Sequence, residues 1–360
     1  MNYFVYLCAK NDMALLVFNP EHDLALAADI ANFTAPHAAR QLRSDLGFIP
    51  ALWAGDDDYV LVDDVDVARR SYSRFMHIDF DRFVLKSQLR KLSIDVVQPW
   101  GWDRALRAFL LRQGVSSAFL PDDSQLDDIR QLSHRRHAMA MLHDLQMEGT
   151  TGVGFIAQQE ADVEKLQKEY CKIVVKAPWS SSGRGIRFVC KSLDDYQRGW
   201  LRNVLDRQGA VMVEPYYSKV KDFGMEFECG RDGQVHYLGL SLFHTHNGAY
   251  TGNIVANEND KIEALSCYVP TDLLVSVRQK ICHLTEPLFS GKFHGTFGVD
   301  MMVVSRNDQD GFLLHPCVEI NLRRTMGHVA LSIPPSASGF PYVMNIVYNE
   351  NNYKIKLQRL

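Results

Sequence analysis

The sequence predicts an open, mostly parallel α/β domain followed by a larger α+β region with antiparallel sheets. Strand-like and helix-like segments alternate over residues 14–120, which is the order that builds a parallel sheet. Later in the chain, pairs of strand-like segments are joined by turn residues, which favours antiparallel hairpins. With 360 residues the chain is long enough for two or three packed units.

Composition narrows the class of protein. Apolar residues make up 46% of the chain and charged residues 23%, as in ordinary globular proteins. The net charge of −4, without a basic block interleaved with aromatic residues, argues against nucleic-acid binding. Seven cysteines without a Cys-x-x-Cys pair indicate reduced thiols, and no stretch reaches the roughly 18 apolar residues of a membrane span. We therefore expect a cytoplasmic protein that binds neither nucleic acid nor membrane.

The first strand should be buried on both faces and lead into a ligand crevice. Residues 14–18 form a continuous apolar run, and the polar residues 19–23 follow it. An open α/β sheet places its ligand crevice at such a strand end. Glu21, His22 and Asp23 could contact a substrate there, or Asp23 or Asn19 could simply cap the next helix. Met13 is an alternative start of translation, with residues 1–12 an upstream extension.

A single amphipathic helix is predicted over residues 125–147, because apolar side chains recur there at helical spacing. It contains the basic run 133–137, which favours a solvated face. Residues 172–176 then form an apolar strand that ends in Lys176. The Ser/Gly-rich loop 180–185 follows, and such a loop beside a lysine can bind phosphate oxygens. A plain surface hairpin is the alternative.

Two further strands should form a hairpin that carries a metal site. Residues 317–322 alternate apolar and polar residues, whereas residues 298–304 form an apolar strand with one acid in its middle. Turn residues separate the two strands. Antiparallel pairing would bring Asp300 beside Glu319 and Asn321. Two carboxylates and a carboxamide on one face suit a hard cation such as Mg²⁺. The alternative is an exposed polar face of an ordinary hairpin.

In this order, these features resemble the ATP-grasp superfamily of carboxylate–amine ligases. The order is a basic residue, Arg135, then the strand lysine with its loop, an acid-ended strand at Glu214, and finally Asp300 with Glu319-x-Asn321-x-Arg323. The resemblance covers residues 125–330. The run Asn-Pro-Glu-His-Asp-Leu-Ala-Leu-Ala at 19–27 is similar to the opening of a bacterial branch.

The resemblance implies three domains and a set of site residues. The domains would be 1–122 (open α/β), 123–215 (small lobe with the phosphate loop) and 216–360 (large lobe with the metal site). Asp222 or Glu226 would hold the ribose. The implied nucleotide-binding residues are Arg135, Lys176, Ser180, Ser181, Ser182, Gly183, Gly185, Glu214, Pro215, Tyr217 and Asp222. The implied ligands of two Mg²⁺ ions, or of Mn²⁺, are Asp300, Glu319 and Asn321, and the implied catalytic residues are Lys176, Arg323 and Arg324.

The implied activity is an ATP- and magnesium-dependent ligation of a carboxylate to an amine through an acyl phosphate. The partners would be small-molecule or peptide substrates, and a homodimer is the commonest oligomer of such soluble proteins. One departure is that His134-Arg135 replaces the Asp-Lys pair of many members, and arginine grips phosphate in a different geometry from lysine. A small-molecule kinase on the same scaffold and a non-catalytic nucleotide-binding protein are the alternatives.

Overall fold

The computed structural model describes residues 12–180, 185–246, 249–306, 310–335 and 340–360. That part of the chain forms two compact units. Unit 1 contains the chain up to Arg130, together with residues 252–256 and 323–360. Unit 2 contains residues 131–251 and 257–322. The division into three domains at 122 and 215 stays a prediction.

Unit 1 begins with a parallel sheet in the strand order β3-β2-β1-β4, as the alternation of strands and helices predicted. The strands are β1 (Ala14–Val17), β2 (Tyr59–Leu61), β3 (Phe83–Val84) and β4 (Val96–Pro99). The helices are α1 (His22–Ala28), α2 (His37–Leu46), α3 (Val65–Met76), α4 (Arg104–Arg112) and α5 (Asp123–Leu132), which ends just beyond the unit. Every residue of β1 is buried, because helices cover both faces of the sheet.

The core of unit 1 draws on both ends of the sequence. Leu16 and Phe18 pack on one face of the sheet in a cluster that also holds Val329 and Met344. Leu15 and Val17 point to the other face and pack with residues of α4. The C-terminal elements are α11 (Met326–Ser332), β14 (Tyr342–Asn349) and β15 (Asn352–Arg359), of which the last two form a hairpin. Strand β11 (Ala249–Val255) pairs with β14 through its residues 252–255.

Unit 2 contains a small antiparallel sheet in the order β5-β8-β6-β7. Its strands are β5 (Phe155–Ala157), β6 (Ile173–Lys176), β7 (Ile186–Val189) and β8 (Val211–Pro215). Helices α7 (Glu160–Tyr170) and α8 (Asp195–Gln208) pack on it through a buried apolar cluster that includes Val163 and Leu201. Lys176 is the last residue of β6, so the strand ends where the sequence predicted.

The larger strands of unit 2 lie in the order β13-β12-β9-β10, all antiparallel. They are β9 (Lys219–Cys229), β10 (Val235–His246), β12 (Gly295–Ser305) and β13 (Phe312–Asn321). Helices α9 (Glu258–Ser266) and α10 (Thr271–Phe289) complete this part. Phe227 and Phe297 stack in its core, and the ring of Phe289 meets Phe297 edge-on. No helix in the described ranges is long and apolar enough to span a membrane.

The predicted single helix over 125–147 is wrong, because α5 ends at Leu132 and α6 (Arg136–Asp144) begins after three intervening residues. The break coincides with two buried side chains. Arg135 reaches the backbone carbonyl of Ala177, and the ring of His134 meets Trp179 edge-on. His134 and Arg135 are only 8% and 6% exposed, so the solvated basic face predicted for them is also wrong.

Candidate active site

The lysine of the predicted phosphate loop forms a buried ion pair in unit 2. Strands β6 and β8 are antiparallel neighbours, and Val174 lies opposite Glu214. Lys176, two residues further along β6, therefore points to the same face as Glu214. Its Nζ lies 2.6 Å from both carboxylate oxygens of Glu214. Both residues are almost fully buried, so the pair bears a large desolvation cost.

Arg135 connects this region to strand β13. Its Nη1 donates to the carbonyl of Ala177 and to Ser180 Oγ, the latter at 2.7 Å. Its Nη2 donates to Glu319 Oε1 at 2.6 Å. One guanidinium thus reaches the end of β6, the start of the Ser/Gly loop and an acid of the predicted metal site. A planar fork with five donors permits this, whereas the single nitrogen of a lysine would not.

The predicted hairpin is confirmed, and it brings the three predicted metal ligands together. Asp300 on β12 lies directly opposite Glu319 on β13, so their side chains share one face. Asn321 Nδ2 donates to Asp300 Oδ2 at 3.0 Å. As placed, no three Asp, Glu, His or Cys side chains of the described residues could together hold a metal ion. The carboxamide of Asn321 would then supply the third oxygen of the predicted site, and such a mixed set would fit Mg²⁺, which keeps water and phosphate ligands.

Glu226 lies beside these acids. It is opposite Gly298 on β12, and Asn321 is opposite the same glycine from β13. A Cβ on Gly224 would be 3.4 Å from Asp300 Oδ1 and 3.8 Å from Glu226 Oε1, so these two carboxylates are near each other. Asp222, the other candidate for the ribose, accepts from Lys219 Nζ and Thr245 Oγ1 at 2.5 Å. The choice between Asp222 and Glu226 for the ribose stays a prediction.

The buried thiol of Cys317 lies within electrostatic range of both the ion pair and the acids. Burial raises the pKa of this thiol, with further increases from the charges of Glu214, Asp300 and Glu319, whereas Lys176 lowers it. One fully buried side chain on β13 thus experiences both charge groups. The hydrogen bonds from Arg135 to Ala177 and to Glu319 likewise join the end of β6 to the acids within unit 2.

Tyr217 and His315 pack together near Lys176, and His315 is a residue that sequence reasoning missed. The two ring centres are 5.3 Å apart, and the hydroxyl of Tyr217 accepts from the amide of Val153 at 3.1 Å. Burial raises the pKa of Tyr217 to about 12. Burial, and then the charge of Lys176, lower the pKa of His315 to about 3. A lone histidine in an apolar strand gave no signal of this environment.

The loop between β6 and β7 is described only at its ends. Ser181, Ser182 and Gly183 lie outside the described residues. Ala177 N donates to the carbonyl of Gly185 at 2.8 Å, which closes the base of the hairpin. A Cβ on Gly185 would lie 2.1 Å from the side chain of Ser180, so this close approach requires glycine. Pro215 is the last residue of β8.

The predicted catalytic arginines belong to unit 1. Arg323 donates two hydrogen bonds of 2.8 Å to the carboxylate of Asp23, from Nε to Oδ1 and from Nη2 to Oδ2. The amide of Arg324 donates to the carbonyl of Trp100, and its guanidinium lies 4.4 Å from the ring centre of Trp53. Asp23 is thus the partner of Arg323, and it does not cap α1, whose first turn has no side-chain cap.

Comparison with known proteins gives matches in structure alone. No protein-family profile and no curated protein sequence matches the chain. The chain is similar to N5-carboxyaminoimidazole synthetase from Staphylococcus aureus, complexed with ADP, with a TM-score of 0.51 and 15% identity over 97% of this chain and 86% of that one. It is also similar to biotin carboxylase from Campylobacter jejuni in a β-γ-ATP complex, with a TM-score of 0.51 and 12% identity over 93% and 75% of the two chains.

A third similar structure is the biotin carboxylase domain of the Hydrogenobacter thermophilus 2-oxoglutarate carboxylase, in complex with MgADP, ADP and bicarbonate. Its TM-score is 0.52 and its identity 10%, over 93% of this chain and 74% of that one. The chain has the ATP-grasp fold. The predicted fold class, a parallel α/β part followed by antiparallel sheets, is confirmed. At 10–15% identity the ATP-grasp fold itself is what these chains share.

Proposed function

We propose that the protein is an ATP- and magnesium-dependent ligase that joins a carboxylate to an amine through an acyl phosphate. The observation that carries the proposal is the clustering of Lys176, Glu214 and Arg135 with the acids of β12 and β13. These charges are buried at a cost, inside an ATP-grasp fold whose similar structures include complexes with ADP and MgADP.

In this proposal the ion pairs of unit 2 exchange partners when the nucleotide binds. Lys176 and Arg135 would bind the phosphates, and Ser180 with the rest of the loop would close over the phosphates. Glu214, Pro215 and Tyr217 would meet the edge of the adenine, and Asp222 or Glu226 the ribose. Until then, Glu214 and Glu319 keep the two cations satisfied at 2.6 Å. The site is thereby held in shape before ATP arrives.

Asp300, Glu319 and Asn321 would hold the magnesium ions, for which Mn²⁺ is a chemical substitute. When bound, such ions neutralise the charge on a transferring phosphoryl group. The chain's own part is to supply oxygen donors from two adjacent strands whose register is fixed by the hairpin. Asn321 is decisive here, because an uncharged donor adds a ligand without adding another negative charge.

The reaction would proceed in two steps. A substrate carboxylate oxygen attacks the γ-phosphorus of ATP, the bond to the β-phosphate oxygen breaks, and ADP leaves an acyl phosphate behind. An amine then attacks the acyl carbon, and phosphate leaves with the electron pair of the broken C–O bond as the amine loses a proton. Lys176 and Arg135 would offset the phosphoryl charge, and Arg323 or Arg324 would hold the carboxylate. The loop 180–185 would exclude water, because acyl phosphates hydrolyse readily.

The substitution Asn321→Ala tests this proposal. We expect ADP release to fall roughly 100-fold or more, because even outer partners of metal ligands are worth 10–100-fold. The matched control is Asn203→Ala on the exposed face of α8, which should release ADP as the wild type does. The assay uses ATP, Mg²⁺ and a pooled metabolite extract, and mass spectrometry detects the products. Undiminished ADP release by the Asn321 variant would remove the metal assignment.

The mass of the product separates the alternatives. A ligase gives a new mass equal to that of a carboxylate plus an amine minus water. A phosphorylated product that no amine consumes would instead identify a kinase. Binding of ATP without turnover under any of these conditions would identify a non-catalytic nucleotide-binding protein.

A further inference from the structure

Unit 1 contains a cavity of about 280 Å³ at the carboxyl ends of its parallel strands. Its wall includes residues directly after β1, residues directly after β2, and the first turns of α4. In the order β3-β2-β1-β4, the chain passes from β1 to β2 on one side and returns to add β4 on the other. Open α/β sheets bind ligands in the crevice at such a change of direction.

Among the described residues that line this cavity, Glu21 is the one whose side chain is both buried and incompletely hydrogen-bonded. Its Oε1 accepts from Arg43 Nη1 at 2.5 Å, whereas its buried Oε2 has no partner among the described residues. A buried acceptor without a donor is unfavourable, because it has lost its hydrogen bonds to water. Burial also raises the pKa of this carboxyl. A ligand that donates an N–H at this point would remove that cost.

The rim of the cavity is basic, in contrast to the buried carboxylate of Glu21. Arg40, Lys86 and Arg112 are exposed there, and none of them forms an ion pair within the described part of the chain. Asp63 is the one exposed acid among the described residues of the rim. Asp103 is fully engaged, because it accepts from Leu106 N, Asn19 Nδ2 and His22 Nδ1. The rim therefore favours an anionic group.

The walls between Glu21 and the basic rim are largely apolar. Phe18, Phe33, Leu106 and Phe109 line the cavity. The volume is smaller than the roughly 300–1,000 Å³ of sites for drug-sized ligands, which favours a small metabolite over a nucleotide. A simple carboxylate would satisfy the rim but leave Glu21 Oε2 without a donor.

We propose that this cavity binds an apolar α-amino acid. Its ammonium group donates to Glu21 Oε2, its carboxylate lies towards Arg40, Lys86 and Arg112, and its side chain packs on Phe18 and Phe109. That this amino acid is one of the two substrates rests on the proposed ligase function. The binding itself does not, because every residue that it uses lies in unit 1.

The test measures binding to the full chain by calorimetry, without ATP or Mg²⁺. The probes are L-phenylalanine and L-leucine, with two analogues of phenylalanine that each lack one charge. Phenethylamine has no carboxylate, and 3-phenylpropanoate has no ammonium group. We expect at least one amino acid to bind, and its analogue lacking either charge to bind about tenfold or more weakly, since a charged hydrogen bond is worth about 1.5–3 kcal/mol.

Two variants locate the site. Glu21→Gln should weaken amino-acid binding about tenfold, and the double variant Arg40→Gln with Arg112→Gln should do so without disturbing the core, because both arginines are exposed. The control Arg70→Gln, on the exposed face of α3, should bind like the wild type. The Asn321→Ala protein should also keep full affinity, which separates this proposal from the ligase proposal.

Three results would overturn the inference. They are no binding of either amino acid, equal binding of 3-phenylpropanoate or inorganic phosphate, and unchanged affinity in the Arg40 and Arg112 double variant. The double variant keeps the proposal testable if Glu21→Gln fails to fold.

Discussion

Two clusters of ion pairs in this protein have similar chemistry and opposite surroundings. In unit 1, Arg104 bridges Asp29, Asp123 and Asp127 at 2.5–3.0 Å, and these aspartate side chains are 36–68% exposed. In unit 2, the side chains of Lys176 and Glu214 are 7% and 8% exposed. Exposed pairs contribute little to stability and are weakened by salt. Buried pairs often cost as much as they contribute, so the burial of Lys176 with Glu214 points to function.

The largest expected effect comes from breaking the buried pair. Lys176→Met leaves Glu214 buried without its cation, which should lower the free energy of unfolding by about 3–5 kcal/mol. The double variant Lys176→Met with Glu214→Leu should recover most of that loss, because an apolar pair needs no solvation. Denaturant unfolding measures both effects.

The same variants should show that ATP binding can be lost while stability is kept. The double variant should fold but bind ATP at least tenfold more weakly, as followed by calorimetry, because the phosphates have lost a charged partner worth about 1.5–3 kcal/mol. Wild-type affinity for ATP in this stably folded variant would mean that the pair serves only the structure.

A second effect depends on pH and concerns His315, which is buried near Lys176. Histidine ordinarily titrates near pH 6.5, so the unfolded chain gains a proton below that pH, whereas folded His315 stays neutral down to about 3. The free energy of unfolding should therefore fall by up to about 1.4 kcal/mol per pH unit below 6.5.

His315→Gln should remove that part of the pH dependence between pH 6.5 and 5, as measured by urea unfolding at each pH. The exposed His143 provides the matched control, since His143→Gln should leave the wild-type slope unchanged. An identical slope in the His315 variant would contradict a neutral buried imidazole.

The smallest effect is expected in unit 1, where Arg104→Ala should cost only about 1 kcal/mol or less. High salt should shrink this cost further, whereas it should barely change the cost of Lys176→Met. Parallel unfolding experiments at low and high ionic strength check both statements. A loss above 3 kcal/mol for Arg104→Ala would erase the contrast between the two clusters.

The sequence predicted features that depend on local pattern. The parallel part of the fold followed from alternating strands and helices, and the register of the hairpin followed from its turn and its alternation. Tertiary contacts decided the rest. The spacing of apolar residues predicted one helix across positions 134 and 135. In the structure the buried contacts of His134 and Arg135 coincide with a break in the helix at that point.

Pairings between distant residues could not be predicted. Lys176 and Glu214 are 38 positions apart, and Arg323 and Asp23 are 300 apart, so no local periodicity relates them. The burial of His315 is of the same kind, since it depends on the packing of Tyr217 against it.

The shared core of unit 1 has a consequence for biosynthesis. Leu16 and Phe18 leave the ribosome more than 300 positions before Val329 and Met344, which pack in the same cluster. The contacts that the first strand makes with Val329 and Met344 can therefore form only after those late residues have been synthesised. Non-local contacts form slowly, and apolar surface stays exposed until they form. We therefore expect high yields of this protein to depend on chaperones during translation.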